Sequence, residues 1–196
     1  MNRLPEGKWV SPPSDRLSAL APPRQSLAAK IVLSIVRKRA ARDSDLNVFM
    51  MLSRLGSIFP RYALFMSQIL LKGRITRVDK EVAILRTAWR TGCIYEWGHH
   101  SKMGGECGLS TAQMDSIASD DSSLLERRHC VLIRAADEII DQKMLRGETW
   151  QLLSEFYCED QLVEFCMLIG HYVMVAATIN STGVAIESGY LESYGT

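Results

Sequence analysis

Proline almost vanishes from this chain after residue 23. Pro5, Pro12, Pro13, Pro22 and Pro23 crowd the first segment, and only Pro60 lies beyond them. No C-x-x-C pair occurs, and the cysteines are five in number: Cys93, Cys107, Cys130, Cys158 and Cys166. An odd count in a chain of 196 residues argues against a disulfide framework and for reduced thiols. Net charge is small as well, +1 from 23 Lys and Arg against 22 Asp and Glu. That balance offers no electrostatic case for nucleic acid. Uninterrupted apolar runs are short. The early run Ile31-Val32-Leu33 with Ile35-Val36 is far too short for a bilayer, and the stretch around 165–179 is interrupted or bounded by Gly170, His171, Tyr172, Thr178 and Asn180. A buried helix is the reading, with no membrane partner. The first thirty residues lack the apolar centre of an export signal. With the thiols, this gives a cytoplasmic expectation.

Strict apolar–polar alternation is also lacking, so strands are not expected. Apolar residues instead recur every three or four positions. Residues 1–24 read as a proline-rich arm and 25–196 as one all-α domain of roughly eight helices. The first helix, 25–41, ends in the basic run Arg37-Lys38-Arg39 with Arg42, a solvated helix end where cations suit the dipole. Helices follow at 46–55 and 60–71, the latter with Pro60 in its first turn and Gly73 as a stop. Thr76-x-x-Asp79 caps a helix through Arg90, and Gly92 permits a break. The next helix carries Cys93 to Glu106. Ser110-x-x-Gln113 and Ser123-x-x-Glu126 are read as capping boxes opening helices at about 111–119 and 124–142. Helices at about 148–157 and 160–181 complete the chain, with Gly183 as the last stop.

The chemistry concentrates in one stretch. Cys93 precedes Glu96 by three residues, and Glu96 precedes His100 by four, so on a helix the three share a face. Glu81 lies one helix back. A thiol, carboxylates and an imidazole on one stripe are material for proton transfer.

Glu81-x(11)-Cys93-x-x-Glu96-x-x-x-His100 resembles the signature of the carboxymuconolactone decarboxylase and alkylhydroperoxidase D superfamily. The words Ile84-Leu85-Arg86-Thr87-Ala88-Trp89, Tyr95-Glu96-Trp97 and Gly108-Leu109-Ser110 are similar to it too. So are Arg3-Leu4-Pro5, Ala136-Asp137-Glu138, Trp150, Leu162-Val163-Glu164 and Gly170-His171-Tyr172, so the resemblance covers most of the chain. It implies an all-α fold, no organic cofactor, a small-molecule substrate and a homo-oligomer, with trimer or hexamer ahead of dimer. In the peroxidase branch the positions of Cys93 and Glu96 hold a C-x-x-C pair whose second cysteine attacks the peroxide. Here that position is Glu96, and a carboxylate neither attacks peroxide nor resolves a sulfenate. Cys107 is a poor substitute, since fourteen residues on a straight helix span roughly 21 Å.

The decarboxylase branch has Glu and His in this Glu-x-x-x-His arrangement. It implies loss of carboxylate from an unsaturated lactone, leaving an extended enolate to be protonated at carbon. That requires a water-poor pocket, donors for the enolate oxygen and a proton source. The leading expectation is therefore a cofactor-free lyase or isomerase. His100 is its proton donor, Glu96 orients the imidazole or acts as base, Glu81 supports from the preceding helix, and Cys93 is pocket wall or auxiliary acid. Tyr95, Trp97, His171 and Tyr172 are candidate substrate contacts. Core or interface aromatics are the simpler reading of Tyr95 and Trp97, and a hydrogen-bonded core histidine that of His171. Two alternatives remain: a redox protein using Cys93 alone, and an oligomer without catalysis. Cys93 reads either as apolar filler or, near a helix N-terminus, as a thiolate. Glu96-x-x-His99 and Glu126-x-x-His129, with Glu81 and Glu164, also permit a di-metal carboxylate site to be drawn. Glu126 is already committed to a capping box, and no metal is expected.

Overall fold

A computed structural model describes residues 4–11, 13, 16–17, 21–22, 24–39 (39 for backbone alone) and 44–190. Arg3, Pro12, Pro23, Arg42 and the side chain of Arg39 lie outside the described residues. Among the described residues there are nine α-helices and no strand. They are α1 (Leu27–Arg39), α2 (Asn47–Leu52), α3 (Ile58–Lys72), α4 (Arg77–Thr91), α5 (Ile94–Glu106), α6 (Thr111–Ile117), α7 (Arg127–Gln142), α8 (Gly147–Ser154) and α9 (Glu159–Thr182). The stretch 46–55 is split: a 3-10 turn, Ser53–Leu55, follows α2.

Helix α4 is the axis of the fold. Every residue from Asp79 to Ala88 is buried, because α5, α7 and α9 pack around it. One core gathers Val82, Leu85, Leu132, Leu168 and Ile169 with their neighbours. A second joins Leu33, Phe59, Cys93, Tyr95 and Ile179. Each fully buried aliphatic or aromatic side chain contributes about 1.5–3 kcal/mol. Helix α9 is long and apolar enough to cross a bilayer. It nevertheless runs through both cores, with Leu162, Leu168, Ile169 and Ala176 buried.

The helix ends follow local chemistry. Thr76 caps α4 by accepting the Asp79 N–H at 3.3 Å. The Ser110–Gln113 box forms reciprocally at the start of α6. The Ser123 box does not form. Ser123 donates its own N–H to Asp121 Oδ1, and α7 starts at Arg127 with extended Glu126 as its N-cap. Gly92 turns α4 into α5 with φ 64°, where a Cβ would also collide with the Lys8 carbonyl. Val10 donates to the Gly92 carbonyl at 3.0 Å, and Trp9 packs edge-on against Trp97 at 5.7 Å. The described part of the arm therefore lies across the α4–α5 turn.

Candidate active site

The α4–α5 hairpin places Glu81 beside His100. Gly104, one turn after His100, has no side chain, and a Cβ there would meet Leu109, Leu85 and the Cβ of Glu81. Its absence lets α4 and α5 approach. Glu81 Oε2 lies 2.7 Å from His100 Nδ1, and both side chains are buried. With the Nδ1 proton directed at Glu81, the free lone pair of the ring is on Nε2.

Glu96 shares the stripe but does not bond His100. Both its carboxyl oxygens are buried without a hydrogen-bond partner of regular geometry. Burial pushes its pKa well above the usual carboxylate range, and the nearby Cys93 thiol offsets this only in part. Its first-turn position in α5 favours a negative charge, but desolvation outweighs that. Burial thus favours the protonated form of Glu96. The expectation that Glu96 orients the imidazole is corrected here: Glu81 holds the ring.

Cys93 is the N-cap of α5 rather than a residue of its first turn. It is completely buried and free. Burial and then the charge of Glu96 push its thiol up, against the N–H groups of Glu96 and Tyr95 that favour the thiolate. The thiolate expected from a helix N-terminus is therefore disfavoured.

Helix α9 closes the site. Tyr172 meets the His100 ring edge-on at 5.0 Å. Its hydroxyl pKa is raised by burial first and then by the charges of Glu81, Glu96 and Tyr62. His171 stands beside Tyr172 at 5.2 Å, and burial lowers its pKa to about 4. Two residues of α3 join the cluster without any sequence signal. Tyr62 stacks on His171 at 5.5 Å, and Phe65 meets it edge-on at 5.7 Å. The Tyr62 hydroxyl is buried without a partner, and burial, then Glu96, raises its pKa. Glu81 Oε1 and His171 Nδ1 are likewise buried and unpaired. Polar atoms so placed normally have partners, and here they converge from α3, α4, α5 and α9.

Tyr95 and Trp97 do not come to this cluster. The Tyr95 hydroxyl donates to Glu187 at 2.9 Å and accepts the Val48 N–H at 3.2 Å. Trp97 is a core residue on Trp9. On one helix both point away from the stripe of Glu96 and His100. His99 goes with Tyr95: its Nε2 lies 2.7 Å from Glu187, between the rings of Tyr95 and Tyr190. The di-metal arrangement is dispersed. His129 faces Asp79 at 3.3 Å, Glu164 faces Lys80 at 3.2 Å, and the side chain of Glu126 is exposed. Among the described residues no group of three or more His, Cys, Asp or Glu is placed to hold a metal.

No family model matches the chain, and no curated protein matches it. Solved structures do. An uncharacterized peroxidase-related protein from Silicibacter sp. TM1040 superposes with a TM-score of 0.75 at 12% identity, over 91% of this chain and 95% of that one. A second from Ralstonia eutropha JMP134, described as an alkylhydroperoxidase AhpD core, gives 0.74 at 15% identity over 94% and 96%. The fold is that of the AhpD core. The debrominase Bmp8 shares it, with a TM-score of 0.72 at 13% identity over 89% of this chain and 95% of that one. A cysteine-to-alanine variant of Bmp8 is described in complex with 2,3,4-tribromopyrrole. At such identities the AhpD-like likeness is one of fold, and within it sit proteins described by different chemistries.

Proposed function

We propose that the chain is a cofactor-free acid–base lyase or isomerase acting on a small unsaturated lactone or enolisable carboxylate. One observation carries this reading: His100, held by Glu81, stands on the same helix stripe as Glu96, a buried carboxyl whose protonated form burial favours. A base with a free lone pair and an acid whose surroundings favour its protonated form are what such a reaction requires. Nε2 of His100 accepts a proton from the substrate, and Glu81 stabilises the imidazolium that forms. Glu96 delivers a proton to the carbon of the resulting dienolate, or of the enolate left when carboxylate departs as carbon dioxide. The Tyr62 and Tyr172 hydroxyls are the donors for the enolate oxygen. His100 is the base in this scheme and Glu96 the acid, the reverse of the assignment drawn from spacing alone.

A thiol reading is supported by the Cys93 sulfur, which lies beside Glu96 with two backbone N–H groups toward it. Turnover assays over a panel of lactones, enolisable acids and peroxides separate the two. In the acid–base reading, His100→Ala and Glu96→Gln each lose about 10²–10⁴-fold while Cys93→Ser stays active. Loss in Cys93→Ser with activity kept in Glu96→Gln would reverse it. The protein is further inferred to work as a homo-oligomer. Phe65 on α3 and Val163, Met167 and Met174 on α9 are exposed, and light scattering of the purified chain reads the state directly.

A further inference from the structure

We propose that the cavity between α1, α3 and α5 binds an amphipathic monocarboxylate, an aliphatic tail ending in one anionic group. The cavity measures about 670 Å³, inside the roughly 300–1,000 Å³ usual for small-molecule sites. Its walls are hydrocarbon: Val32 and Ile35 from α1, Phe49 from α2, Leu64 and Leu70 from α3, and Met103 from α5. Such walls select an aliphatic body, with about fourfold in affinity for each methylene buried. They offer few donors, which excludes sugars and polyanions.

The charged lining comes from α5 and the first residue of α4, and its balance is simple. Arg77 and Glu106 pair with each other at 3.1 Å. His99 is engaged by Glu187 at 2.7 Å. That leaves Lys102, whose ammonium sits over the Tyr190 ring at 5.4 Å and meets no carboxylate among the described residues. One uncompensated cation beside an apolar chamber complements one anion on an apolar body. The chain after α9 supplies the outer wall, because Tyr190 lies against His99 at 3.8 Å. The α5 residues used here, His99, Lys102, Met103 and Glu106, are other than Glu96 and His100. The site therefore stands apart from the acid–base reading.

The test is calorimetric titration of the full chain with decanoate and with decan-1-ol, each below its aggregation concentration, alongside light scattering. Lys102 and Leu64 are both exposed, so Lys102→Met and Leu64→Glu leave the core intact, and circular dichroism verifies it. The proposal expects saturable one-to-one binding of decanoate, about fivefold tighter than the alcohol, the size of a partly exposed ion pair. It expects Lys102→Met to close that gap and Leu64→Glu to abolish both ligands. Equal binding of acid and alcohol by the unaltered protein overturns it, as does decanoate binding that survives Leu64→Glu. So does the absence of saturable binding. An oligomer that falls to monomer in Leu64→Glu would instead assign this face to contact between copies.

Discussion

Glu81 Oε2 and His100 Nδ1 lie 2.7 Å apart across the α4–α5 hairpin, so one carboxyl sets both the orientation and the tautomer of the imidazole. Nitrogen NMR of the histidine-labelled protein at pH 8 should show His100 protonated at Nδ1 and unprotonated at Nε2. In Glu81→Gln, the ring should lose that fixed tautomer while the helical circular dichroism stays unchanged. A His100 signal protonated at Nε2 in the unaltered protein would remove the basis for calling it a base.

Glu96 makes a separate prediction about pH. Its folded pKa is raised by burial, so the folded state holds its proton where the unfolded chain has released it. The stabilisation is complete below the ordinary carboxylate range and fades as pH rises toward the folded pKa. Glu96→Gln, which mimics the neutral acid, should match the unaltered protein near pH 4 and become the more stable of the two at pH 8. Urea unfolding at both pH values measures the difference. Equal stabilities at pH 8 would mean that burial does not raise the Glu96 pKa.

The stripe from Cys93 to His100 was legible in sequence because helical spacing is local, and Glu81 because it sits one hairpin away. The Ser110–Gln113 box was legible for the same reason. Ser123-x-x-Glu126 misled because the pattern does not record that Asp121 takes the Ser123 N–H. Tyr62 and Phe65 carry no motif, and only the packing of α3 on α9 brings them to His171. Burial is likewise invisible in spacing, and it is burial that shifts Glu96 away from an orienting carboxylate toward its protonated form. Glu187 lies 88 positions from His99, and its role comes wholly from the path of the chain after α9.

That path yields a third prediction. Burial raises the Glu187 pKa, but hydrogen bonds from His99 and the Asn47 N–H outweigh it and hold the group down at about 2. Stability from this group is present above the ordinary carboxylate range and is lost as pH falls toward about 2. Glu187→Gln should cost about 1–2 kcal/mol at pH 7, after allowance for solvent screening, and almost nothing at pH 2. Acid titration of the tryptophan fluorescence should then show a flatter low-pH limb in the variant. An unchanged limb would detach Glu187 from the acid response.

Arg86 tests what holds α4 to its neighbours. Its side chain is almost wholly buried and grips both Asp137 oxygens on α7, at 2.8 and 2.7 Å. It also donates to the carbonyls of Ile117 and Ser119 at 2.9 and 2.8 Å, and its guanidinium lies 4.5 Å from the Trp89 ring. Removing it strands two carbonyls at once and leaves the partly buried Asp137 carboxylate to Arg90 alone, at 3.0 Å. Arg86→Ala should therefore lose about 3–5 kcal/mol of unfolding free energy. Arg86→Lys keeps the charge but not the planar fork, and should still lose a substantial part of it. The double variant Arg86→Ala with Asp137→Ala should be less damaged than the two single losses summed, because both single variants lose the same bidentate pair. Urea unfolding of the four proteins closes the cycle. Simple additivity would show that the bidentate pair does not couple α4 to α7.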